Sequence, residues 1–343
     1  MKALVLESYN NLHYTEVPLP AISDNEVLIQ VKAVGICGSD VHGMDGSTGR
    51  RIPPIIMGHE ASGEIKEVGK EVSGWSNGDR VTFDSTIFNP NDWYTQKGMY
   101  NLSDGRMVVG VSTEEFRRNG AFAEFVSVPQ HILHAIPPNV SYTEAALVEP
   151  AAVAMHAINI SGLKTDDVVV VVGAGMVGMF VIQLLKIKGC KKIIAVDLDE
   201  YRLSMARKLG ADEAFKPDDE ELFATVKRLT NQRGADLAIE VVGITETIAL
   251  SIDLIRKGAT LTLVGNVQPT IQLPLQKIVT RQLRIQGSCA INGEYPAVLE
   301  LIAEKKLDVT TILSAEAPLS EGALWFDRLY KKEKNLMKVI LKP

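Results

Sequence analysis

Apolar and polar positions follow two different rhythms along the chain. Before about residue 150, helical periodicity gives way to short strand-like runs separated by frequent Gly and Pro: "NEVLIQVKAVGIC", "ASGEIKEVG", "DRVTF" and "AFAEFVSV". Such runs predict a small mostly-β domain of barrel or partly opened sandwich type. From Asp166 the order becomes strand, glycine turn, helix, strand in "DVVVVVGAGMVGMFVIQLLKIKGCKKIIAVDLDE". After the turn, Val177, Phe180, Val181, Leu184 and Leu185 recur at helical spacing, Gly189 stops the helix, and "KIIAVD" resumes as a strand. "ADLAIEVVG", "ATLTLVG" and "QLRIQGS" continue the alternation, which predicts an α/β fold with a doubly wound, mostly parallel sheet over residues 150–287.

At 343 residues, 46% of them apolar, the chain has material for two cores, and two domains are expected. A net charge of −6, with no basic run beyond pairs such as Arg117-Arg118 and Lys331-Lys332, leaves no electrostatic footprint for nucleic acid or anionic lipid. Val168 to Leu185 carries no charge, but three glycines divide it and its β-branched start favours a buried strand over a membrane span. The opening "MKALVLESYNNLHYTEV" lacks the features of a signal peptide. Cys37, Cys190 and Cys289, odd in number and widely spaced, make no disulfide framework, so a reducing cytoplasm is expected.

"GAGMVG" has the GxGxxG spacing between a strand and a helix. Gly173 serves the tight turn, Gly175 admits a pyrophosphate to the backbone, and Gly178 lets helix and strand pack closely. Met176 and Val177 open the helix, where exposed N–H groups hold phosphates. Asp197 ends the second strand, placed to bind ribose hydroxyls and repel a 2′-phosphate, which favours NAD over NADP. Arg202 stands near enough in sequence to offset part of that repulsion.

The first half adds a different chemistry. Cys37, His59 and Glu60 offer sulfur, nitrogen and oxygen, the mixture of a catalytic zinc that keeps one position open, and Glu149 in "ALVEPAAVAMHA" offers a second oxygen. Neighbouring strand residues face opposite sides, so His59 and Glu60 reach one ion only across a bend; Glu60 is otherwise an outer or exchanging ligand.

"GICGSDVH", "GHEASGEIKEVG", "NGAFAEFVSVP", "ALVEPAAVAMHA" and "GAGMVG", in that order, resemble the zinc-dependent medium-chain alcohol dehydrogenases, closest to the sorbitol and polyol dehydrogenase branch, over nearly the whole chain. The resemblance implies a GroES-like catalytic domain of residues 1–149 completed by 288–343, with a Rossmann domain of residues 150–287 inserted. It also implies zinc on Cys37, His59 and Glu60, Glu149 binding it directly or through water, and Ser39 and His42 as a proton relay. Many members carry a second zinc on four cysteines, where this chain has Asn89, Asp92, Thr95 and Ser103. Those groups cannot replace thiolates, so one zinc per chain is expected, with Trp93, Tyr94 and Tyr100 holding that lobe by packing or facing a partner.

The reaction expected is oxidation of a polyol's secondary alcohol to a ketose, with NAD reduced, and the reverse. Sorbitol dehydrogenases place an Arg after the last Rossmann strand, whereas "GSCAING" has none, so the polyol stays open, with Asn292, Glu294 and Tyr295 as nearby hydroxyl-binding groups. Alternatives are L-threonine 3-dehydrogenase and a polyol-phosphate dehydrogenase, for which Arg50 and Arg51 would form a cationic clamp. A non-enzymatic NAD-binding redox sensor is the rival of another class. Relatives are dimers or tetramers, and "QLRIQGSCA" is a candidate pairing edge.

Overall fold

The computed structural model describes residues 1–343 and divides them into two compact units. One comprises Met1–Glu149, Ile291–Lys305 and Val309–Pro343; the other comprises Pro150–Ala290 and Lys306–Asp308.

In the first unit the strands Leu133–Ala135, Arg80–Phe83, Glu60–Val68, Glu26–Gly35, Lys338–Lys342 and Leu313–Pro318 lie side by side in that order, and Phe125–Pro129 also pairs with Glu26–Gly35. All these pairs are antiparallel except Leu313–Pro318 with Lys338–Lys342. Val27, Ile29, Val31, Ile65, Val81, Phe83, Phe122 and Phe326 fill the core. The chain's last strand therefore completes a sheet begun by its first hundred residues, and it carries a lysine, Lys338, into the interior.

The second unit is a six-stranded parallel sheet ordered Glu213–Phe215, Lys192–Val196, Val168–Val172, Ala235–Glu240, Ile255–Leu263, Arg284–Gly287. Every residue of Val168–Val172 is buried, as a strand covered on both faces must be. Strands are added outward on one side of it and then on the other, which puts a topological switch point beside Val172. The uncharged stretch considered as a membrane span is this strand followed by the helix Met176–Ile187, and no helix is long and apolar enough to cross a membrane. Residues 306–308 join this unit through Gln183, whose side chain exchanges two 2.9 Å hydrogen bonds with the backbone of Asp308.

Candidate functional site

Cys37 follows the strand Glu26–Gly35 and stands at the N-cap of the short helix Gly38–Gly43. His59 and Glu60 stand where the strand Glu60–Val68 begins. The bend they need is supplied by Gly58 at φ +95°, a backbone region closed to most L-residues, and a Cβ there would lie 2.9 Å from Phe122 N. One ligand atom from each of Cys37, His59 and Glu60 then lies within 4.8 Å of the others. His59 and Glu60 are buried, and Glu60 Oε1 has no hydrogen-bond partner. Buried polar atoms are rarely left so. A sulfur, an imidazole and a carboxylate converging, with one carboxylate oxygen unpartnered, fit a borderline-soft cation such as zinc.

Charges surround the set. Lys338 pairs with Glu60 Oε2 and donates to Ile36 O at 2.9 Å. Asp40, fully buried on the short helix, is paired with Arg51 and lies 3.6 Å from His59 Nδ1 through its Oδ1. Burial raises the Cys37 thiol, reinforced by Glu60 and Asp40 and opposed by Lys338, so thiolate forms only with a cation to balance it. Glu149 lies outside the three-residue set and accepts from Ser85 Oγ at 3.2 Å. Burial pushes its carboxyl up to about 7, opposed by His59 and reinforced by Glu60 and Asp84.

Ser39 Oγ donates to Cys37 Sγ at 3.3 Å and is exposed. His42, also exposed, is three residues along the same helix and so on the same side of it.

In the other unit, Gly173 turns out of the strand and Gly175 caps the helix Met176–Ile187, whose first residues are Met176 and Val177. A Cβ on Gly178 would lie 2.0 Å from Gly173 O, so only glycine lets this helix sit so near the turn, while one on Gly175 would meet nothing within 4 Å. Asp197 Oδ2 accepts from Ala174 N at 2.7 Å and its Oδ1 from Asp199 N at 3.0 Å, which ties the acid to the glycine turn. Arg202 Nη1 is 3.8 Å from the same Oδ2.

Several residues have other tasks than those expected of them. Arg51 is not a clamp for a substrate anion, because it is buried against Asp40; Arg50 is exposed. Tyr295 is buried with its hydroxyl on Phe83 O, Glu294 accepts from Asn292 N, and Asn292 Nδ2 donates to Gly98 O while its Oδ1 has no hydrogen-bond partner. In the lobe around Asn89, Asp92, Thr95 and Ser103, Asp92 caps the helix Trp93–Gln96 and Ser103 Oγ accepts from Asn89 N. Tyr100 stacks on Phe88 and donates to Asp84, whereas Trp93 is 61% exposed. Lys338 was missed in the sequence, where its only signal is one charge inside the apolar run "LMKVIL".

Residues 23–138 match the alcohol dehydrogenase GroES-like domain, and residues 176–304 match the zinc-binding dehydrogenase domain. The chain is 34% identical to a sorbitol dehydrogenase of Halalkalibacterium halodurans, over 100% of this chain and 99% of that one. It is 30% identical to a D-arabitol-phosphate dehydrogenase of Enterococcus avium, over 97% and 94%. The alcohol dehydrogenase TADH from Thermus sp. ATN1 superposes with a TM-score of 0.92 at 30% identity, covering 100% of this chain and 99% of that one. A GroES-like domain and a Rossmann domain, with full-length relatives of this kind, define an oxidoreductase. The chain belongs to the zinc-dependent medium-chain alcohol dehydrogenase family, in its sorbitol and polyol dehydrogenase-like branch.

Proposed function

We propose that the protein oxidises a secondary alcohol of a polyol to the ketone with NAD and catalyses the reverse reduction. The observation that carries this is the convergence of Cys37, His59 and Glu60 within 4.8 Å, with Ser39 Oγ 3.3 Å from the sulfur. Those three residues would hold the zinc, and the buried Glu149 is the fourth protein donor, directly or through water. Zinc bound there supplies Lewis acidity, which lowers the pKa of water from about 16 to about 7 and acts likewise on a substrate hydroxyl, and the nicotinamide cofactor supplies the hydride acceptor.

Ser39 Oγ accepts the substrate hydroxyl's proton as its own proton passes toward the exposed His42, which releases one to solvent. Asp197, fixed by two backbone N–H groups, takes the ribose hydroxyls and opposes a 2′-phosphate, with Arg202 tempering the preference. Each chain takes one zinc, since Asp92 and Ser103 are spent on backbone bonds. Two copies pair through the edge strand Arg284–Gly287, beside which Leu275 and Val279 are 69% and 68% exposed; such pairs build the dimer or tetramer.

The similarity to a D-arabitol-phosphate dehydrogenase supports a second reading, a phosphorylated polyol met by the exposed Arg50. Metal analysis and NADH formation on sugar alcohols, their phosphates and L-threonine test both readings. One zinc per chain and turnover of a sugar alcohol are expected, with Cys37→Ser losing both. NAD binding with no turnover on any secondary alcohol would establish the redox sensor instead.

A further inference from the structure

The reaction proposed above, on which this inference rests, leaves the buried Arg51 without a task. Arg51 is 3% exposed. Its Nε and Nη2 donate to Asp40 Oδ1 at 3.0 and 2.8 Å, its Nη2 also donates to Ser39 Oγ at 3.3 Å, and its Nη1 to Arg50 O at 2.9 Å. Gly43 makes the room, since a Cβ there would lie 2.4 Å from Arg51 Cγ. One guanidinium therefore touches both the relay hydroxyl and the carboxylate that faces the His59 ring across 3.6 Å.

We propose that Arg51 is a positioning residue that sets the orientation of His59, through Asp40, and of Ser39 Oγ together. A carboxylate beside a ligand imidazole fixes the ring's tautomer and orientation. The guanidinium lies against the fully buried Asp40 carboxyl and anchors it beside the ring. A planar fork holds two acceptors at set angles, which the point charge of a lysine cannot do. Ser39 Oγ has one donor and two acceptor positions. Arg51 Nη2 takes one lone pair, which leaves the other to accept from a substrate hydroxyl as the Ser39 proton turns from Cys37 Sγ toward His42.

The test uses full-length zinc enzyme carrying Arg51→Ala or Arg51→Lys. Three quantities are read: the rate at which a chelator removes zinc, the visible spectrum after cobalt(II) exchange, and kcat with KM for alcohol and NAD. Arg51→Ala is expected to lose zinc about 10- to 100-fold faster and to lower kcat by a similar factor. Its cobalt spectrum shifts, KM for NAD stays unchanged, and added guanidinium restores spectrum and kcat. Arg51→Lys recovers only part. If Arg51→Ala does not fold, Arg51→Lys decides alone: faster zinc loss with a shifted spectrum supports the assignment.

Wild-type chelation rates and cobalt spectra in the folded variants overturn it. So does a fall in activity that merely tracks the loss of folded protein. Wild-type enzyme without zinc or alcohol-dependent NADH would instead sink the reaction itself, whereas active zinc-bearing wild type with indifferent Arg51 variants sinks only the role given to Arg51.

Discussion

Replacing Lys338 with Met keeps the apolar stem and deletes a charge in a place with no water to compensate. Lys338 and Glu60 are both fully buried, Lys338 pairs with Glu60 Oε2, and Glu60 Oε1 has no hydrogen-bond partner. In metal-free Lys338→Met the carboxylate is left with no neutralising group in contact. Breaking a buried pair from one side costs about 3–5 kcal/mol, and the lost bond to Ile36 O adds about 1 kcal/mol. At about 2–4 °C per kcal/mol for a unit of this size, Tm falls by about 8–24 °C. Zinc bound beside Glu60 takes over much of the neutralisation, so the deficit shrinks and the gap between metal-free and zinc-loaded Tm widens. Thermal unfolding of wild type, Lys338→Met, Glu60→Gln and the double variant, with and without zinc, measures both, and the double-mutant cycle isolates the pair. A metal-free Lys338→Met within about 1 kcal/mol of wild type, or an equal loss in both metal states, refutes the reasoning.

Ser39→Ala should lower kcat about 10²- to 10⁴-fold while zinc content stays at the wild-type level, which metal analysis beside steady-state kinetics checks. Asp197→Ala removes a charged acceptor worth about 1.5–3 kcal/mol, so KM for NAD rises about 10- to 150-fold and the preference over NADP narrows when both cofactors are compared. Asp84 is pushed up to about 6, first by burial and opposed by its bond from Tyr100. Because its folded pKa lies above the unfolded one, the folded state binds more protons between about pH 4 and pH 6 and stability falls as pH rises through that window. Asp84→Asn should flatten that slope in urea titrations at stepped pH. Lysine at both Leu275 and Val279 should release monomers, read by light scattering.

Much of the architecture was legible because it rests on local patterns. The run "VVVVV", the glycine turn and the apolar spacing that follows define the strand Val168–Val172 and the helix Met176–Ile187 within a few residues. Cys37, His59 and Glu60 stood out by residue type, and the structure brings them within 4.8 Å by way of the bend at Gly58. What escaped was pairing between distant charges. Lys338 meets Glu60 across 278 positions, and nothing in "LMKVIL" says which carboxylate awaits it. Arg51 looked like a solvated or substrate-facing cation because its neighbour Arg50 is one; only the fold shows that Gly43 admits its stem to Asp40. Glu294 and Tyr295 have the chemistry of hydroxyl recognition but bond backbone groups, a choice set by loop geometry, while Asn292 commits its Nδ2 and keeps Oδ1 unpartnered.

The strand Lys338–Lys342, lying between Leu313–Pro318 and Glu26–Gly35, gives biosynthesis a fixed schedule. At about 5–20 residues per second, Lys338 leaves the ribosome about 15–60 s after Cys37. Throughout that interval the parallel sheet is free to fold, while the donor residues wait beside an open sheet edge with Glu60 lacking its lysine. The pairing of Glu60 is thereby tied to synthesis of Lys338, and a ribosome stalled before that residue would hold a folded parallel-sheet unit beside an unfinished antiparallel one.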